Sequence, residues 1–230
     1  MPAQLTRIRR PRAVDAVYEV LRERILSSQF KPGERLHIDE LSTKLGVSLT
    51  PVQHAIHQLA AEGLVEVRPR KGTFVARLSP QHVEETFEIR TALECLAAEQ
   101  AVERITEEEL QRVRQLLEAL GKPVRTPEDR KAHERDNSEF HRAIIQASGN
   151  QRLSEMYEEL NAHLQIGRIH AGSDDGTNRL AQEHEEHRQI VAALERRDAP
   201  ALVPALRQHI LRAKNALTAS LRATSEQQAP

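Results

Sequence analysis

The sequence predicts a mainly α-helical protein with two parts: three helices and a β-hairpin, followed by an all-helical bundle. Apolar residues recur at helical spacing through most of the chain, and strand character is confined to residues 64–67 and 73–76. Charge divides the chain in the same way. Residues 1–78 carry 13 Lys and Arg against 8 Asp and Glu, whereas the remainder carries 20 against 26. A basic first third joined to an acidic remainder is typical of a nucleic-acid-binding module attached to a second domain.

Composition narrows the class of protein. The chain has 230 residues, 39% hydrophobic and 29% charged, a balance typical of a globular protein. No segment approaches the roughly 18 apolar residues of a membrane span, and the N-terminus lacks an apolar signal segment. We therefore expect a cytoplasmic protein that does not enter a membrane. The single cysteine, Cys95, excludes an intramolecular disulfide, and its apolar neighbours favour a buried thiol over a nucleophile.

The first part begins with an arm and two helices. Residues 1–12 are rich in arginine and poor in apolar side chains, which predicts a flexible basic arm that either touches DNA phosphates or is simply solvated. An apolar stripe over 13–28 predicts the first helix. Lys31-Pro-Gly33 predicts a turn, and the spacing of Ile38, Leu41 and Leu45 predicts the second helix over 38–45.

The next segment predicts a turn and a third helix, the arrangement of a helix-turn-helix. Gly46 accepts the positive φ of a sharp turn, and Gly63 ends the helix. Ser48 or Thr50 can cap the helix, and Pro51 fits its first turn. Apolar residues at i, i+3, i+4 and i+7 predict a buried stripe of Val52, Ala55, Ile56 and Leu59. The opposite face suits contact with base edges in a major groove, and the residues predicted to meet DNA there are Ser48, Leu49, Thr50, Gln53, His54 and His57.

The two predicted strands enclose a basic tip and complete a winged helix-turn-helix domain over residues 13–78. A hairpin in this position can reach the minor groove or the phosphates, although a solvated charged loop is the alternative. The residues predicted to contact DNA from this wing are Arg68, Arg70, Lys71 and Gly72. Because one helix-turn-helix covers one half-site, we also expect a homodimer on double-stranded operator DNA.

After a joint at 79–80, every remaining element is predicted to be helical. Thr106 to Glu109 has the pattern of a capping box, and Thr126-Pro127 has the pattern of a helix start. Asp198 can cap the last helix. The predicted domain covers 81–221, and a disordered tail is predicted over 222–230. Its helices are expected at 81–103, 107–120, 127–147, a segment around 153–164, 179–197 and 199–221, with a loop at 171–176.

Polar residues in the helical half have the spacing of a metal site. Asn137 and His141 are four residues apart and share a helix face, while His187 and His209 belong to the next-to-last and last helices. A helical bundle can bring such residues together, and imidazole is the commonest metal ligand in proteins. The alternative is chance, since a chain with 11 histidines contains some pairs at this spacing, and most surface histidines bind nothing.

The recognition segment resembles that of the GntR family of bacterial transcription regulators. The matching residues are Val47-Ser48-Leu49-Thr50-Pro51-Val52-Gln53-His54-Ala55-Ile56, followed by Leu59 and Gly63-Leu64. The resemblance implies a DNA-binding fold. Leu49 and Gln53 stand where the family usually has arginine, and His54 stands where it has glutamate, so the resemblance does not imply a particular operator.

The helical half resembles the FCD ligand-binding domain of the FadR branch of that family. The matching stretches are Glu88-Ile-Arg90 to Glu94, Phe140-His-Arg-Ala-Ile144, Ala147-Ser-Gly-Asn150, Glu186-His-Arg-Gln-Ile190 and His209-Ile210. The resemblance implies a divalent metal, Zn, Ni or Mn, held by Asn137, His141, His187 and His209. It also implies a small organic acid as effector and assigns Arg90 to that acid. The family more often has Asp at position 137, and a neutral amide is a weaker ligand than a carboxylate.

Three function classes fit these patterns. We expect a ligand-responsive DNA-binding transcription regulator, most simply a repressor, with a metal and an acid in its second domain. The alternative is a metal-free DNA-binding protein whose helical half only dimerises. A metal-dependent hydrolase is less favoured: His184-Glu-Glu-His187 has its histidines three apart, whereas the zinc-protease motif requires four, so no enzyme is predicted.

Overall fold

The computed structural model describes residues 13–27, 29–77, 79–170 and 177–227, with side chains for 13–27, 29–77, 79–160 and 179–223. The basic arm predicted at 1–12 and the loop predicted at 171–176 lie outside the described residues. The chain divides into two compact units, Met1–Leu78 and Ser79–Pro230. Within the described part, no helix is both long enough and apolar enough to cross a bilayer.

The first unit contains three helices and a small sheet among its described residues. In chain order its elements are α1 (Ala13–Leu26), β1 (Arg35–Leu36), α2 (Ile38–Leu45), α3 (Leu49–Ala61), β2 (Val65–Arg68) and β3 (Gly72–Val75). The sheet is antiparallel with the order β1-β3-β2. The hairpin β2–β3 was predicted, whereas β1 was not, because two residues are too few to show alternation. The apolar faces of α1 and α3 pack together, and the predicted stripe of α3 is buried.

The turn before α3 has the predicted backbone but not the predicted cap. Gly46 has φ +66°, and its N–H bonds back to Thr43 O at 3.3 Å. Ser48 occupies the N-cap position with an extended backbone, but its side chain accepts no hydrogen bond from the helix. The capping bond that we expected is therefore wrong. The reason lies in the sequence: Pro51 occupies the third helical position, where a capping hydroxyl would find its N–H donor, and proline has none.

Every described secondary-structure element of the second unit is a helix. Its helices are α4 (Pro80–Arg104), α5 (Glu107–Leu120), α6 (Pro127–Ala147), α7 (Gln151–His170), α8 (Thr177–Glu195) and α9 (Ala199–Gln227). The predicted capping box is present at Thr106, and Thr126 forms a second one with Asp129. Asp198 Oδ1 accepts from the Ala201 N–H at the start of α9 (3.0 Å).

The predicted tail is wrong over residues 222–227, because α9 continues to Gln227. The buried apolar stripe of α9 ends at Leu221, but the helix itself continues for six more residues. Neither Gly nor Pro occurs between Leu221 and Gln227 to stop the helix.

Helix α4 organises the second unit by packing against α6, α7 and α9, while α8 packs against α5 and α9. One buried cluster of this core consists of Ala97, Ile145, Leu153 and Tyr157. This arrangement brings the polar faces of α4, α6, α8 and α9 to one place inside the bundle.

Candidate metal centre and nucleic-acid interface

Three histidines from three helices converge inside the second unit. His141 on α6, His187 on α8 and His209 on α9 each offer a ring nitrogen, and these nitrogens lie within 4.8 Å of one another. The exposed fractions of the three residues are 0%, 0% and 2%. Asn137, one turn before His141, is also buried. The four residues singled out from the sequence are thus one imidazole triad with a buried amide on the same face of α6 as His141.

Two carboxylates fix the orientation of two of the rings. Glu94 Oε2 lies 2.7 Å from His141 Nδ1, and Glu186 Oε2 lies 2.8 Å from His209 Nδ1. Each carboxylate is held in turn by an arginine. Arg90 Nε donates to Glu94 Oε1 at 2.5 Å, and Arg212 Nε donates to Glu186 at 2.6 and 2.8 Å. Two parallel Arg–Glu–His chains therefore assign the Nδ1 proton to each ring and turn Nε2 inward.

The two Nε2 atoms that point inward lie close together, but neither carries a proton that could form a hydrogen bond between them. His141 Nε2 and His209 Nε2 lie 3.2 Å apart, so in the neutral rings two lone pairs face each other. Among the described residues, neither ring nitrogen of His187 has a hydrogen-bond partner, and the same holds for Asn137 Oδ1. Buried polar atoms without partners are rare in native proteins, because each costs free energy. A single cation could bind one nitrogen of each ring together with the amide oxygen of Asn137, and so satisfy most of these atoms at once.

The protonation states suit a cation site. Burial and the neighbouring His209 and His141 lower the pKa of His187 well below its usual value, and burial and His141 do the same for the pKa of His209. Both rings are therefore neutral at neutral pH. Burial alone would raise the pKa of Glu94, but Arg90 and His141 hold it well below its usual range. Neutral imidazoles backed by an ionised carboxylate are the form in which histidine binds a metal.

Arg90, assigned to an acid by resemblance, lies in the wall of a cavity beside this triad. The cavity has a volume of about 100 Å³ and is also lined by Asn137 and His209. Arg90 is only 1% exposed and is paired with Glu94. Arg90 is therefore a buried charge and not a surface one, and it forms an i+4 ion pair with Glu94.

The exposed face of α3 and Ser48 directly before it carry every predicted base-contacting residue. Leu49 is 42% exposed although it is apolar, and Gln53, His54 and His57 are exposed along the same face. In the wing, Arg70 and Lys71 are exposed at the tip. Arg68 is held on the strand instead, since it pairs with Glu66 at 2.8 Å and stacks on Phe74 at 4.9 Å from the ring centre.

Both parts of the chain match models of known protein families. A model of the bacterial regulatory proteins of the gntR family matches residues 13–75, and a model of the FCD domain matches residues 85–212. The chain belongs to the GntR family. It is a transcriptional regulator composed of a GntR helix-turn-helix domain and an FCD domain.

Individual relatives of this GntR-family regulator cover most of its length. The chain is 30% identical over 194 residues to YdhC of Bacillus subtilis (strain 168), an uncharacterised HTH-type transcriptional regulator, and the match covers 84% of each chain. It is equally similar, at 30% over 194 residues and 84% of each chain, to the HTH-type transcriptional repressor RspR of Escherichia coli (strain K12). Its fold is similar to that of McbR/YncC of E. coli, with a TM-score of 0.72 and 26% identity over 89% of this chain and 96% of that one.

Several residues of the regulator's sites had no predicted role. Glu94 and Glu186 lie inside the quoted FCD-like stretches, and Glu186 directly precedes His187, but their contacts to His141 and His209 depend on helix packing. In the first unit, Arg35 of β1 extends over Gly72, where an added Cβ would lie 2.9 Å from Arg35 Nε. Arg35 therefore adds a basic group beside the wing, and only the unpredicted strand β1 places it there.

Proposed function

We propose that this regulator is a homodimeric repressor of the FadR branch, whose FCD domain binds a divalent metal and a small organic acid and thereby changes its affinity for operator DNA. The metal ligands in this proposal are Asn137, His141, His187 and His209. The repressor role is supported by the similarity to a repressor of E. coli. The DNA contacts are those of α3 and the wing.

One observation carries the metal part of the proposal: the 3.2 Å separation of His141 Nε2 and His209 Nε2, with both Nδ1 atoms held by carboxylates. Two nitrogens bound to one tetrahedral zinc at about 2.0–2.1 Å would lie about 3.4 Å apart. The donors present therefore fit such an ion with little movement. Three imidazoles and an amide also favour zinc or nickel over manganese, which prefers carboxylate and water oxygens.

The acid part of the proposal depends on the cavity. A divalent metal attracts an organic carboxylate and can bind its oxygens directly. The cavity beside the triad is lined by Arg90, whose guanidinium Glu94 holds in place, so that a positive group is already oriented before an acid enters. Pre-oriented groups bind with a smaller loss of conformational entropy.

The decisive experiment measures coupling between acid, metal and DNA. Metal-loaded protein is screened by thermal shift against acetate, lactate, pyruvate and short diacids. An acid at about 100 times its Kd stabilises the native state by about 2.7 kcal/mol, which is a rise of about 5–10 °C in Tm. The same acid should change the Kd for a duplex selected from a random library by about 5–150-fold.

Reciprocity provides the internal control. Saturating DNA must change the Kd of the acid by the same factor by which the acid changes the Kd of DNA. Chelator should remove the response to acid and leave a DNA-binding protein. If chelator leaves the response to acid unchanged, the metal has no part in it. If no acid changes DNA binding, the metal-free alternative, in which the helical half only dimerises, replaces the proposal.

A second prediction concerns what α3 reads. Gln53 can form a bidentate pair with adenine, whereas arginine at that position pairs with guanine O6 and N7. We expect A·T pairs opposite Gln53 and opposite Leu49, whose side chain can pack on a thymine methyl. Selection of binding sites from random duplexes is repeated with Gln53→Arg, and one symmetric pair of positions should change from adenine to guanine, with discrimination of about 1–3 kcal/mol.

Gln58→Arg is the matched control for this experiment, since Gln58 is also exposed on α3 but lies near its C-terminal end. Because the N-terminal residues of a recognition helix meet the bases, Gln58→Arg should leave the selected sequence unchanged. An unaltered sequence with Gln53→Arg would mean that Gln53 does not touch a base.

A further inference from the structure

The cavity beside the histidine triad has a second layer of polar groups, one helical turn away from the metal ligands. His133 precedes Asn137 by four residues on α6, Glu183 precedes His187 by four on α8, and Arg212 follows His209 by three on α9. All three second-layer residues line the same cavity as Asn137 and His209. Residues three or four apart share a helix face, and one turn rises about 5.4 Å. The two layers are therefore separated by roughly the length of a short carbon chain.

The second layer contains buried donor atoms that form no hydrogen bond among the described residues. Arg212 uses Nε to hold Glu186, but its Nη2 is buried and has no hydrogen-bond partner among the described residues. Both ring nitrogens of His133 are likewise buried and form no hydrogen bond among the described residues, although Nε2 lies within ion-pair distance of Glu183 Oε1, at 3.9 Å. A guanidinium edge and an imidazole N–H are typical donors to a carboxylate.

The net charge of the metal-loaded cavity would be balanced by an anion with two negative charges. Arg90 is balanced by Glu94, and Arg212 is balanced by Glu186. The remaining charged groups of the lining are two arginines and two glutamates, namely Arg130, Arg179, Glu134 and Glu183. Because the fourth ligand is the amide of Asn137 and not a carboxylate, a bound divalent ion keeps its full charge. Buried charge is costly unless it is neutralised, and a dianion neutralises it.

We infer that the effector is a short dicarboxylate, with one carboxylate on the metal and the other on Arg212 Nη2 and His133. This inference rests on the proposed function and narrows its acid to one chemical class. An acid with a single carboxylate would leave the second layer without an acceptor and the metal with uncompensated charge.

The test compares each diacid with its own monoamide. Metal-loaded full-length protein is titrated calorimetrically with malonate, succinate and glutarate and with malonamate, succinamate and glutaramate, which have nearly the same shape but one charge fewer. At least one diacid should bind about tenfold or more tightly than its monoamide, as expected for the loss of charged hydrogen bonds. In His133→Leu and Arg212→Lys this preference should fall to within about threefold, because the first variant removes the ring donor and the second removes the Nη2 edge while its ammonium stays beside Glu186.

Measuring the metal content of each variant shows whether a substitution affects only the second layer or also the metal site. Arg212→Lys keeps a positive charge beside Glu186, and His133 is not a metal ligand, so both variants should retain the metal content of the wild type. Arg207→Lys is the matched control: Arg207 is exposed on α9 outside the cavity lining, and this variant should keep the full preference for diacids.

The outcomes separate this inference from the proposed function. If monocarboxylates bind and stabilise the protein as well as the diacids do, the second layer is not a carboxylate site, and the metal-and-acid proposal stands without it. If the variants keep the preference for diacids, the second carboxylate binds elsewhere and the assignment is overturned. If neither diacids nor monocarboxylates bind the metal-loaded protein, both the inference and the acid part of the proposed function fail.

Discussion

Replacing Glu94 by glutamine should lower the free energy of unfolding of the FCD domain by about 3–5 kcal/mol, the range measured when one partner of a buried ion pair is removed. Glu94 and Arg90 are each 1% exposed, and Glu94 also accepts from His141. A glutamine that still accepts from His141 Nδ1 must turn its NH₂ group toward Arg90 Nε. The guanidinium is then buried against a donor, without a counter-charge. Urea denaturation with the m-value held common to both proteins measures the loss.

Two further variants test whether the loss of stability comes from the unpaired charge of Arg90. Glu88→Gln changes an exposed glutamate on the same helix and should change stability by no more than about 0.5 kcal/mol. The double variant Arg90→Met with Glu94→Gln removes the unpaired charge and should recover at least half of the loss, which a double-mutant cycle reports as coupling between the two residues. A loss below about 1 kcal/mol in Glu94→Gln would mean that the pair is less critical than its burial indicates.

Local features of this protein could be predicted from the sequence because short-range physics determines them. Thr106 and Thr126 begin helices because their side chains accept from the N–H three residues later, and that pattern is visible in the sequence. The buried stripe and exposed face of α3 follow from helical periodicity alone. Where a local signal was incomplete, the prediction was wrong. Ser48 forms no capping bond, since Pro51 at the third helical position has no N–H to donate, and α9 continues beyond its apolar stripe.

The contacts that organise the candidate site could not be predicted, because they join residues far apart in the chain. Glu94 meets His141 across 47 residues, and His209 meets His141 across 68. Both contacts depend on how α4, α6 and α9 pack, which no single-helix pattern specifies. The sequence pattern could indicate His141, His187 and His209 as candidate ligands of one metal ion. It could not distinguish Glu94, which orients a ring, from the many exposed glutamates of the same helices.

Bound metal should stabilise the protein by about as much as the Glu94→Gln substitution destabilises it. Protein purified without chelator should carry about one divalent ion per chain, measured by mass spectrometry of the metals. At a free metal concentration about 1,000 times its Kd, the ion stabilises the native state by about 4.1 kcal/mol, and chelator should remove this stabilisation. His141→Ala and His187→Ala should each empty the site. If a variant with both substitutions still binds a full equivalent of metal, other histidines must be the metal ligands.

His187→Leu separates a metal ligand from a packing residue by the sign of its effect. Within the described residues, both ring nitrogens of His187 are buried without a hydrogen bond. Replacing an unsatisfied buried polar group by an apolar one of similar size is nearly neutral or stabilising. With chelator present, His187→Leu should therefore unfold at the same temperature as the wild type or higher, whereas with metal in excess it should unfold at a lower one. His184→Leu, three residues away on α8 and outside the triad, should keep both the metal and the response to chelator. If His187→Leu destabilises the protein equally with and without metal, His187 is a structural residue, and the metal centre assigned to it is wrong.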